Sequence, residues 1–190
     1  MQPSDVVHEL LAGTVRPPSG ARPPATAGFY AWWCRVDSVA DAEPPISREE
    51  RAPVDATWSL LYVGISPSRA TSSKNVASRF SKDHVGGNIG GSTFRQSLAS
   101  LLIANLQLQP KSGSDRSRLT SEAPLSRWIE ASCGATFARS DRPWELEAAV
   151  IRLLNPPLNI DKGTNPFRFE VSARRSALRR SCGLGAADWN

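Results

Sequence analysis

Residues 60–68 read LLYVGISPS, an apolar run that halts at Tyr62-Val63-Gly64 and then turns polar. Apolar and aromatic residues bounded by Gly, Ser and Pro are strand material, and the strand is placed at 58–65. Upstream, GFYAWWCRV at 28–36 has the same character. The polar stretch 37–57 lies between them, a long insertion in a connection that most simply joins antiparallel neighbours. Each strand carries one tyrosine, Tyr30 and Tyr62, and the chain has no others. Packing is one account: an amphipathic ring turns inward and leaves its hydroxyl at the rim. The other is that two phenols are brought to one place.

Helical signals surround the strand pair. Residues 4–12 (SDVVHELLA) read as a short helix with Ser4 as N-cap, followed by a Pro- and Gly-rich linker over 13–27. After the second strand a helix is expected from about Ser73 to Lys82, with Val76 and Phe80 four apart on the core side and Arg79 beside that stripe. VGGNIGG at 85–91 breaks the chain. STFRQSLASLLIANL then forms a helix with Phe94, Leu98, Leu101 and Leu102 inward. Beyond the polar loop 109–124 come a short helix at 125–133 and a third strand near 135–140. A further helix stops at the double proline 156–157, and a basic C-terminal helix spans 171–183. Strands interleaved with helices, and not required to be parallel, make the fold class α+β.

Composition narrows the function classes. A chain of 190 residues is one domain with appendages and buries a core without disulfides or metals. Three scattered cysteines, Cys34, Cys133 and Cys182, suit reduced thiols in the cytoplasm, and two histidines with no CxxC argue against structural zinc. No apolar run approaches a membrane span. The net charge is +5 and unevenly placed: residues 1–60 hold five basic and eight acidic side chains, while residues 61–190 hold 18 and 10. A basic surface rich in arginine suits a phosphate backbone, or is a solvated face with no partner.

Four motifs in order sharpen this. GFY (28–30), YVG (62–64), an arginine in SRFSKDH (78–84), and a helix running from a glutamate to an asparagine, ELEAAVIRLLNPPLN (145–159), together resemble the GIY-YIG nuclease family. The resemblance covers about residues 27–161. It implies a small three-stranded antiparallel sheet flanked by helices. The corresponding domain spans 27–165, after an N-terminal helix and linker over 1–26 and before a basic helical segment over 166–190.

The resemblance also implies roles. Tyr30 and Tyr62 would contact the attacking water and the phosphate, one of them as general base, although a phenol needs nearby positive charge to serve at neutral pH. Arg79 would stabilise charge building on phosphorus, or be an exposed helix arginine. His84, five residues on, is a candidate assisting base, or a helix-terminal histidine facing solvent. Twelve residues back from Asn159 stands Glu147, preferred over Glu145 as the carboxylate for a divalent ion, Mg²⁺ or Mn²⁺; an exposed first-turn acid is its plain alternative. Asn159 would hold the active-site region together or contact nucleic acid, or serve turn chemistry alone.

Two features stand on the residues themselves. Ser92, Thr93 and Arg95, at a Gly-rich turn entering a helix, form a candidate phosphate contact or an ordinary capped helix. Arg174 and Arg175, with Arg179 and Arg180, give a basic face for a nucleic-acid backbone, or a solvated tail. The expected activity is a metal-dependent endonuclease acting on nucleic acid, DNA rather than RNA, by in-line attack of water. An inactive nucleic-acid-binding module of the same fold is the alternative. The oligomeric state stays open, a homodimer being one route to cutting both strands.

Overall fold

A computed structural model describes residues 1–46, 55–113 and 116–185. The middle of the 37–57 insertion, two residues of the 109–124 loop and the last five residues of the basic C-terminal segment lie outside these. Three strands, β1 (Gly28–Arg35), β2 (Trp58–Ser66) and β3 (Cys133–Arg139), form one antiparallel sheet in the order β2-β1-β3. The α+β fold with a three-stranded antiparallel sheet is therefore the observed one.

Alternation along β1 divides the core in two. Tyr30, Trp32 and Cys34 face one side, and Phe29, Ala31 and Trp33 the other. The second side is covered by α1 (Pro3–Ala12) and α5 (Pro143–Leu154), whose Val6, Leu10, Val150, Ile151 and Leu154 are buried against it. Helix α1 begins one residue earlier than the sequence suggests. Pro3 occupies its first position, where a missing N–H costs nothing, and Gln2 rather than Ser4 is the cap. On the first side lie α3 (Thr93–Leu102), α4 (Ala123–Ser132) and α6 (Arg168–Ser181). Helix α6 contributes Val171 and Leu178 to the same core as α3, so the basic helix is docked on the sheet domain.

Two local irregularities set up the site. Trp32 pairs with Tyr62 but Trp33 pairs with Leu60, so β2 carries an extra residue at Leu61. This bulge leaves Leu61 and Tyr62 facing the same side, Leu61 as core and Tyr62 at its edge. The expected 73–82 helix is a short α2 (Val76–Ser78), capped by Asn75 Oδ1 accepting from Ser78 N at 2.8 Å, that widens into a π-helical turn over Arg79–Val85. In that turn the backbone bonds run from i to i+5, as in Gly86 N to Ser81 O at 2.9 Å. A five-residue step from Arg79 to His84 therefore brings both side chains to one face. Trp32 lies stacked between Phe80 of this turn (4.8 Å) and Phe94 of α3 (4.5 Å), tying both elements to β1.

Candidate active site

Tyr30 from β1, Tyr62 and Gly64 from β2, Arg79 from the π turn, Thr93 from the start of α3 and Glu147 from α5 line one cleft of about 390 Å³. Ser66, Ser68, Arg69 and Lys74 also line it. A second cleft of about 190 Å³ adjoins it, sharing Tyr62, Thr93 and Glu147 and adding Lys162 and Arg175.

Gly64 is the cross-strand partner of Tyr30, and the ring lies over its backbone. A Cβ at Gly64 would stand 2.3 Å from Tyr30 Cζ and Oη. The ring cannot yield, because its hydroxyl is held by His84 Nε2 at 2.8 Å. Gly64→Ala is expected to lose about 1–3 kcal/mol of stability by overpacking, read by urea unfolding.

His84 is fully buried. Its Nδ1 meets Ser92 Oγ at 2.6 Å while Nε2 meets the Tyr30 hydroxyl. Burial, reinforced by the Arg79 and Arg95 cations, holds its pKa well below 6.5. The ring is therefore neutral at neutral pH. The unfolded chain takes up a proton below pH 6.5 that the folded chain refuses, so His84 costs stability as pH falls below that value. The melting temperature is expected to drop between pH 6.5 and 5 by more than in His84→Asn, measured by thermal unfolding across that range. Burial also pushes both phenols above the usual tyrosine value, and the Arg79 cation only partly offsets it. Both tyrosines are thus neutral O–H groups near neutral pH.

Arg79 Nη1 donates to Asp83 Oδ2 at 2.7 Å and to the Gly91 carbonyl at 3.3 Å, and its cation acts on the Tyr30 hydroxyl across the cleft. Asp83 takes Lys74 as a second partner. Three consecutive residues at the head of α3 thus border the site: Gly91 holds Arg79, Ser92 holds His84, and Thr93 lines the cleft with Tyr62.

That arrangement corrects two expectations. Ser92 is buried: it caps α3 by accepting from Arg95 N at 3.2 Å and is the partner of His84, so it does not face an anion. Arg95 is also fully buried. It pairs with Glu122 at 2.8 Å and donates to the His84 carbonyl at 3.0 Å, which leaves no route to a phosphate. Thr93 alone of the three is exposed, and it lines the cleft. Asn159 borders the second cleft, but its amide is already engaged. Its amide accepts from Val63 N at 2.9 Å and donates to Val63 O at 2.8 Å, clamping the outer edge of β2 between Tyr62 and Gly64. It supplies the pairing that an edge strand lacks.

Glu147 turns into the cleft, whereas Glu145 is exposed and pairs with Arg142. Arg175 lines the second cleft; Arg174 lies outside both, its Nε bonded to Glu170 at 2.7 Å. Lys74, Asp83 and Lys162 went unnoticed in the sequence. Lys162 was the most visible of them, three residues beyond Asn159.

A family model for the GIY-YIG catalytic domain matches residues 28–181. The chain belongs to the GIY-YIG family. No curated protein and no solved structure matches it. The GIY-YIG match spans β1 to the end of α6, and so takes in every residue lining the two clefts.

Among the described residues no three His, Cys, Asp or Glu side chains converge on one point. Glu147 is the one carboxylate common to both clefts, and its partner is a cation, the Lys162 ammonium. One hard oxygen donor facing open, polar space fits a divalent ion that keeps most of its water. No helix among the described residues is long and apolar enough to cross a membrane.

Proposed function

We propose that this GIY-YIG protein is an endonuclease that hydrolyses a phosphodiester bond of nucleic acid, DNA in preference to RNA, in the cleft between Tyr30, Tyr62, Arg79 and Glu147. The observation that carries this is the convergence, from four separate elements, of two phenols, a guanidinium and a carboxylate on one cleft. The guanidinium is a fixed positive fork suited to phosphate oxygens. It would meet the charge that develops on the phosphoryl group. Mg²⁺ or Mn²⁺ held by Glu147 would supply Lewis-acid neutralisation of that charge.

The raised phenols shape the proton path. A tyrosinate does not form readily here, so Tyr30 works as a relay. Its oxygen accepts a proton from the attacking water as its own O–H passes to His84 Nε2. With hydrogen on Nδ1, His84 donates to Ser92 Oγ and presents an open Nε2 to Tyr30. Burial and two nearby arginines keep the ring neutral beforehand, which leaves Nε2 open to accept but makes the imidazolium a weakly held, short-lived proton carrier. Tyr62, half-buried and beside Thr93 in the cleft wall, would orient the phosphate. The three free, buried cysteines suit a reducing compartment, the cytoplasm.

The test is a cleavage assay on supercoiled plasmid, single-stranded DNA and structured RNA, each with Mg²⁺, Mn²⁺ or EDTA. Cutting by the wild type that EDTA abolishes is expected. Salt-sensitive binding with no cutting under any condition would instead favour a nucleic-acid-binding module.

A further inference from the structure

Glu147 is paired before any metal arrives. Its carboxylate, 19% exposed, meets the Nζ of Lys162, whose side chain is 45% exposed. Lys162 follows α5 and the Asn159 clamp, and its backbone is left-handed, with φ of 66°. Glycine or asparagine suits that conformation better than a long side chain. The chain therefore holds a lysine where its backbone does not favour one, and the lysine reaches a carboxylate of the cleft. The same ammonium lines the second cleft beside Arg175.

A largely shielded carboxylate next to two neutral phenols is costly without a counter-charge. An arginine would hold it by a two-pronged bond. A lysine ammonium is a compact, hydrated point charge on a flexible stem, suited to a partner that must leave. We propose that Lys162 is a built-in counter-ion: it holds Glu147 while the site is metal-free, yields it to a divalent cation, and then turns to a backbone phosphate in the second cleft. This rests on Glu147 being the metal-binding carboxylate.

The experiment is calorimetric titration of Mn²⁺ into metal-free wild type, Lys162→Met, Lys162→Asn and Glu147→Gln. Both Lys162 variants are expected to bind Mn²⁺ roughly two- to fivefold more tightly, the scale of a partly exposed ion pair. Lys162→Asn preserves the left-handed backbone, so agreement between the two variants isolates the charge. The phosphate step is read with a short labelled DNA duplex over a salt series in EDTA. In the Glu147→Gln background the ammonium is free to reach phosphate, so adding Lys162→Met is expected to weaken binding and reduce the salt slope by about 0.9. In the wild-type background the same change should do little.

Unchanged or weaker Mn²⁺ binding in both Lys162 variants, with Glu147→Gln abolishing it, overturns the counter-ion role alone. Mn²⁺ binding that survives Glu147→Gln overturns the assignment of Glu147 instead. An equal slope in Glu147→Gln with and without Lys162→Met overturns the phosphate step.

Discussion

Replacing Arg79 by alanine is expected to slow cleavage by about a thousandfold, the scale seen when a group that meets transition-state charge is removed. The structure makes the effect specific. Arg79 is the guanidinium that lines the cleft with Tyr30 and Tyr62, and it is aimed by Asp83 and by the Gly91 carbonyl. Arg69 and Lys74 line the same cleft and Lys162 and Arg175 the adjoining one, so nucleic-acid affinity should fall less than about tenfold. Asp83 keeps Lys74 as a partner, so the fold should survive and the melting temperature should move little. Arg79→Lys retains the charge but not the fork, and an intermediate loss of about a hundredfold is expected. Single-turnover rates beside equilibrium binding check all of this. A rate within tenfold of wild type for Arg79→Ala would remove Arg79 from the reacting phosphate.

Glu147→Gln is expected to lower the rate by a similar factor, about a thousandfold, and to make the residual rate insensitive to EDTA. Glutamine keeps the shape and loses the charge that would hold a divalent ion. Nucleic-acid binding should be equal or tighter, because a negative charge leaves the cleft proposed to accept phosphates. Glu145→Gln is the control: Glu145 is exposed, pairs with Arg142 and does not line the cleft, so its rate should match the wild type. A residual rate of Glu147→Gln that still responds to Mn²⁺ and EDTA would place the ion elsewhere.

Much of the cleft's lining was legible because its parts are local. Tyr30 and Tyr62 each lie within an apolar strand run, and strand registry brings Trp32 opposite Tyr62 and Tyr30 opposite Gly64. Glu147 shares a helical face with Val150, Ile151 and Leu154, so core packing of α5 turns the carboxylate toward the sheet end. Other residues misled because their partners are distant in the chain. Arg95 looks like an anion contact at a helix start until Glu122, from the start of a different helix, is found beside it. Ser92 looks like a free cap until His84 arrives on its hydroxyl.

From the residues alone follow the three strands, the helical faces, the α+β class and the order of the four motifs. These depend on periodicity and turn chemistry, which act over a few neighbours. Tertiary contact alone assigns the finer roles. The β2 bulge that leaves Leu61 and Tyr62 on one side, the π turn that carries His84 to Tyr30, the Asn159 clamp on Val63 and the Lys162 ammonium on Glu147 all join segments remote in sequence. Burial decides them: a polar group withdrawn from water must find whichever partner the fold brings within reach, and local sequence does not encode which one that is.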